Sequence, residues 1–134
     1  MDNSHQIYLI SDSTGETIDR IFTALKAQFK NFNYHVHQYS FTRTKNQILE
    51  IVKNIKDKDK VIILYTLVDK SLIEYLNKLA VKKKIHCFGV LESLISNFSK
   101  ILRQNSLSIP SRQHKLNDEY YDRVEAIQFT MRHD

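Results

Sequence analysis

The sequence predicts an α/β fold: a four-stranded parallel sheet of order 2-1-3-4, doubly wound, with a fifth C-terminal helix. Three observations predict it. Short β-prone runs alternate with amphipathic helical periods in four consecutive β–α units, and the connections between them are short. The runs Ile7-Tyr8-Leu9-Ile10 and Val61-Ile62-Ile63-Leu64 are continuously apolar, as central strands covered on both faces are. Tyr34-His35-Val36-His37-Gln38-Tyr39 is mixed, which suits an edge.

The first strand, Ile7 to Ser11, passes through a small polar turn into a helix carrying Ile18, Ile21, Phe22, Leu25 and Phe29. Ser13 and Glu16 have the S-x-x-E spacing of a capping box, which would start that helix near Thr14. After the second strand, Tyr34 to Tyr39, Thr44 and Gln47 repeat the box ahead of Ile48, Ile51, Val52 and Ile55. The third strand, Lys60 to Tyr65, leads to Asp69, an N-cap for the helix of Leu72, Ile73, Leu76, Leu79 and Ala80. The fourth strand, Ile85 to Phe88, precedes a helix with Leu94, Ile95, Phe98, Ile101 and Leu102. A loop from Gln104 to Leu116 holds the only proline, Pro110, and a fifth helical period follows Asn117 with Tyr120, Tyr121, Val124, Ile127 and Met131.

The 134 residues, 42% hydrophobic and 26% charged, fit one domain, which at this length buries about two-thirds of its unfolded surface. The longest apolar run, Val61 to Val68, is too short to span a membrane, and the first five residues lack the basic start and apolar core of a signal peptide. A cytoplasmic protein without membrane attachment is expected. The lone Cys87 lies in an apolar strand, where a structural thiol is expected. A net charge of +5, from 20 Lys and Arg against 15 Asp and Glu, raises the question of nucleic acid. The lysines cluster at helix ends (Lys53, Lys56, Lys58, Lys60, then Lys82-Lys83-Lys84), where they complement the dipole, and no aromatic residues interleave with them. Nucleic-acid binding is therefore not expected. His35 and His37 share a strand face but have no third ligand nearby in sequence, so no metal site is expected.

In a sheet of this order the winding reverses between strands one and three, and ligands bind beyond the carboxyl ends of the strands at that point. The loops meeting there bring Asp12, Ser13, Thr14, Gly15, Arg43, Thr66 and Asp69 to one rim. Amides at the helix start and the positive dipole end favour an anion, and Arg43 can add bidentate charge. Other readings stand beside this one. Capping alone accounts for Ser-Asp-Ser-Thr, and Arg43 could instead pair with Asp12 or Asp69 as a tie between loops. A carboxylate repels phosphate unless protonated or bridged by a cation, so Asp12 is also a candidate general base toward a hydroxyl.

Taken in order, Ser11-Asp12-Ser13-Thr14-Gly15-Glu16-Thr17, Phe41-Thr42-Arg43-Thr44, Tyr65-Thr66-Leu67-Val68-Asp69, Tyr121-Asp122-Arg123-Val124-Glu125-Ala126-Ile127-Gln128-Phe129 and the final His133-Asp134 give the whole chain a family likeness. It resembles the regulatory proteins of pyruvate, phosphate dikinase and phosphoenolpyruvate synthase. The resemblance implies a bifunctional enzyme: an ADP-dependent kinase acting on a threonine of the dikinase, and a phosphate-dependent phosphorylase that removes the phosphoryl group as pyrophosphate. It also implies that residues 1–134 form one α/β domain matching the N-terminal half, without the P-loop half. A P-loop needs closely spaced glycines and a following lysine, whereas Gly15 and Gly89 are the only glycines.

ADP and phosphate are thus the implied ligands, with neither expected to bind this chain tightly alone. The implied partners are the dikinase or the synthase, together with a separately encoded P-loop half. Arg123 and Glu125 are implied catalytic residues beside Asp12, although Glu119 lies four residues before Arg123 and could simply pair with it. Arg112 and His114 could face the cleft. Gly89 stands where members tend to have aspartate, and Glu92-Ser93 where they have Gly-Pro. The alternative to an enzyme part is a non-catalytic anion-binding or partner-binding module, or a degenerate remnant.

Overall fold

A computed structural model describes residues 4–56 and 58–107. Its elements run β1 (His5–Ser11), α1 (Glu16–Lys26), β2 (Tyr34–Tyr39), α2 (Lys45–Lys53), a 3-10 turn (Lys58–Lys60), β3 (Val61–Thr66), α3 (Lys70–Lys83), β4 (His86–Gly89) and α4 (Glu92–Leu102). All four strands pair in parallel in the order β2-β1-β3-β4, as the sequence predicts. Strand bounds differ from the sequence expectation by a residue or two: β1 begins at His5, β3 at Val61 and β4 at His86. The expected fifth helix and its N-cap Asn117 lie outside the described residues.

Alternation along the strands sends side chains to two cores. On one face Ile10, Val61, Ile63 and Tyr65 pack against Ile48, Ile51 and Val52 of α2 and Leu72, Ile73, Leu76 and Ala80 of α3. On the other face Ile7, Leu9 and Leu64 pack against Ile18 and Phe22 of α1. Each fully buried aliphatic side chain contributes roughly 1.5–3 kcal/mol relative to exposure. The α2 and α3 helices are capped as expected: Thr44 and Gln47 form a reciprocal box, and the Asp69 carboxylate accepts from the Ser71 and Leu72 amides. At the opposite ends Lys83 Nζ donates to the Val52 carbonyl (2.8 Å), which gives a lysine of the basic cluster a structural use at a helix C-terminus.

The expected box between Ser13 and Glu16 does not form. Helix α1 starts at Glu16 behind Gly15, which takes the left-handed conformation (φ 93°), with no side-chain cap. The competing principle is tertiary: Ser40 and Phe41 hold the turn's carbonyls, and the Ser13 amide is given to Ser11 Oγ (3.0 Å) instead. His37 stacks on Tyr8 (ring centroids 4.5 Å apart) and hydrogen bonds Gln6 across the strands (2.7 Å), a packing role on the sheet surface. Helix α4 buries none of its residues among those described, leaving Phe98 at 60% and Ile101 at 76% exposure.

Candidate active site at the crest of the sheet

Ser11 and Thr66 are register partners at the carboxyl ends of β1 and β3, so the chain leaves both central strands side by side. The Asp12 amide donates to the Thr66 carbonyl (3.4 Å), extending the pairing one step past β1. From there residues Ser11 to Gly15 form a turn gripped by the end of β2 and the loop beyond it. The Ser11 carbonyl accepts from the Thr42 amide (2.8 Å) and the Ser13 carbonyl from the Phe41 amide (2.9 Å). The Asp12 carbonyl accepts from Arg43 Nε (2.8 Å), the Thr14 carbonyl from Ser40 Oγ (2.8 Å) and the Gly15 carbonyl from Gln38 Nε2 (3.3 Å). Five consecutive carbonyls are therefore bonded from the end of β2 and the loop after it. Topology places the loop beginning at Ser40 on this rim, but the bonds from Gln38 and Ser40 leave no local pattern, because neither residue is near the turn along the chain. Phe41 takes positive φ (52°) to place its amide there, and its ring lies beneath the Arg43 guanidinium (5.3 Å).

The Asp12 side chain is buried, and its Oδ2 accepts from the Val68 amide in the β3–α3 loop (3.0 Å). Burial raises its pKa above the ordinary aspartate value. The Val68 and Asp12 amides and the Arg43 charge oppose that rise, and the nearby Asp69 charge adds to it. Asp69 itself is held low, first by the Ser71 hydroxyl, because its carboxylate serves the first turn of α3. Thr66 Oγ1 is a buried side-chain oxygen with no hydrogen-bond partner among the described residues. Arg43 sits at the turn rather than away from it, but its Nε contact is to the Asp12 backbone carbonyl and not to either carboxylate.

Beyond Val68 a cleft of about 660 Å³ opens between the start of α3 and α4, with Leu67, Ile73 and Ile95 in its walls and Lys100 and Arg103 along its edge. Glu92, at the start of α4, accepts from the Tyr65 hydroxyl, which in turn accepts from Asn77 Nδ2 (3.1 Å). Gly89 makes room for this pair: a Cβ there would come within 2.7 Å of Glu92 Oε1 and of the Tyr65 ring. Burial, with the Glu92 charge, pushes the Cys87 thiol up to about 12, so it stays protonated and unreactive at neutral pH. Among the described residues no cluster of three His, Cys, Asp or Glu side chains could hold a metal, and no helix is long and apolar enough to cross a membrane. Arg112, His114, Arg123 and Glu125 lie outside the described residues.

The chain is a doubly wound α/β domain that brings a buried carboxyl, an arginine and the start of α1 together at its switch point, where sheets of this class commonly bind ligands. The chain belongs to the family described as Kinase/pyrophosphorylase, whose profile matches residues 7–134. It is 60% identical over 134 residues to a protein of Pelagibacter ubique, covering all of this chain and 49% of that one. A protein of Geobacter metallireducens is 36% identical over 131 residues (96% of this chain, 47% of its own length), and one of Agrobacterium fabrum 38% over 128 residues (96% and 46%). All three carry the name "Putative pyruvate, phosphate dikinase regulatory protein". The chain spans about half the length of these relatives.

Proposed function

We propose that this chain is the dikinase-recognising half of a pyruvate, phosphate dikinase regulatory protein, and that its crest receives a threonine of the target. In this reading the threonine hydroxyl is phosphorylated in an ADP-dependent step and later released by phosphate, with pyrophosphate as product. The family and the names of the relatives support the reaction class. The observation that carries the site is Asp12: a buried carboxyl at the switch point whose proton affinity is raised by burial, as suits a group that takes a proton from an attacking hydroxyl.

ADP and the transferred phosphoryl group are held by a P-loop half, since the two glycines of this chain cannot form one. The cleft beside Val68 gives room for the target segment that carries the threonine. In this reading Arg123 and Glu125 join Asp12 as catalytic residues. The test is to titrate the chain into the dikinase or the synthase by calorimetry, then to add a P-loop half and ADP and follow threonine phosphorylation by mass spectrometry. Complex formation, with transfer abolished by Asp12→Asn, is the expected result. Absence of any complex overturns it. The second reading, a non-catalytic binding module, is the outcome if a complex forms but no transfer follows.

A further inference from the structure

We infer that the apolar stripe of α4 is a docking face for the chain's own segment 117–131, which covers it as an amphipathic helix. Helix α4 is the most apolar of the four described helices, yet it is the one that buries no residue. Its orientation is the reason. Glu92, Ser96, Ser99 and Lys100 line the cleft shared with α3, so the polar side of α4 is turned toward the body of the domain. Leu94, Phe98, Ile101 and Leu102, at helical spacing, lie on the other side and are each more than half exposed. A contiguous apolar stripe of this kind marks a contact that the described residues do not supply.

The course of the chain selects the occupant. After α4 the backbone turns back at Arg103, which takes the left-handed conformation, and Ser99 Oγ donates to the Gln104 carbonyl. Gln104, Asn105 and Leu107 then wall a groove of about 410 Å³ together with Leu94, Phe98 and Leu102. The residues that follow Leu107 therefore enter at the stripe itself. Extended, the stretch 108–116 reaches up to about 30 Å, whereas the 11 residues of α4 are about 16 Å long, so segment 117–131 can lie along the whole helix. Its sequence carries a matching face: Tyr120, Tyr121, Val124, Ile127 and Met131 form one stripe at helical spacing, and Asp118, Glu119 and Asp122 fall on the other side. Packing one stripe on the other removes both from water.

This docking stands or falls apart from the proposed reaction, because it is read on the chain alone. In that reaction it seats the segment bearing Arg123 and Glu125 on the helix that walls the cleft. Hydrogen exchange of the full chain, followed by mass spectrometry, tests it with Phe98→Asp, Ile101→Asp and Val124→Asp. Both α4 positions are exposed, so the sheet is expected to keep its own protection in these variants. Amides 120–131 are expected to be protected in wild type and to exchange about tenfold faster in Phe98→Asp or Ile101→Asp. Val124→Asp is expected to quicken exchange in α4 by a similar factor, and Phe98→Leu to retain protection of the segment. Amides 120–131 exchanging at the unfolded rate in wild type, or protection unmoved by either α4 substitution, overturns the inference. Light scattering on the same samples reads the remaining occupant: a dimer lost in Phe98→Asp while exchange of 120–131 is unchanged assigns the stripe to a second copy and overturns it as well.

Discussion

Arg43 Nε donates to the backbone carbonyl of Asp12 across 2.8 Å, so an exposed side chain is tethered to the turn. The planar fork can make this bond and still face outward, which an ammonium on a flexible stem does poorly. Arg43→Ala is expected to lower stability by about 1 kcal/mol, read as a shift of the urea midpoint. Arg43→Lys is expected to lose most of the same increment. A lysine variant as stable as wild type would show that charge alone, and not the Nε bond, holds the loop.

Asp12 gives a pH prediction with a definite sign. Its pKa is raised in the folded state, so over the range between the unfolded and folded values the native protein binds more protons than the unfolded chain. Stability therefore falls as pH rises through that range, starting from the unfolded value of about 3.9. Asp12→Asn keeps an acceptor for the Val68 amide but removes the charge. It is expected to melt above wild type at neutral pH, with the gap closing on acidification. A gap that widens on acidification would mean the carboxylate is stabilised in the fold.

The capping box at α2 provides a local control. Thr44 Oγ1 accepts from the Gln47 amide (3.1 Å), and Gln47 Oε1 accepts from the Thr44 amide (3.0 Å). Thr44→Ala is expected to cost about 1 kcal/mol in chemical denaturation. Ser13→Ala, at the box that does not form, removes no cap of α1. Equal losses in the two variants would contradict the assigned helix start.

Thr44, Gln47 and Asp69 were legible in the sequence because a cap is a local contract between residues three apart. Strand order and the edge character of β2 were legible from continuous and mixed apolar runs. Ser13 and Glu16 carry the same local signature as Thr44 and Gln47, yet contacts from Ser40 and Phe41, far along the chain, override it. Those contacts leave no periodic trace. The meeting of Asp12, Arg43 and Thr66 followed from topology alone, since loops at the strand crest must converge. The bond from Val68 to Asp12 and the pairing of Tyr65 with Glu92 required coordinates.

Gly89 tests how α4 is tethered. An added Cβ would press within 2.7 Å of both Glu92 and Tyr65, so Gly89→Ala is expected to cost roughly 1–3 kcal/mol. Amide hydrogen exchange in α4 should quicken, because Glu92 is the residue that ties the start of that helix to Tyr65. Adding Glu92→Ala to Gly89→Ala removes one of the crowding atoms and should recover part of the loss. Full additivity of the two changes would show that they do not share a contact.

The central claim is that the working surface is the strand crest around the start of α1. Amide-resolved NMR of the chain titrated with inorganic phosphate tests it most directly. The account predicts shifts concentrated in the amides that follow Ser13, through the first turn of α1, and at Thr66. Shifts confined to the lysines at the far rim, Lys53, Lys56 and Lys82 to Lys84, would contradict it.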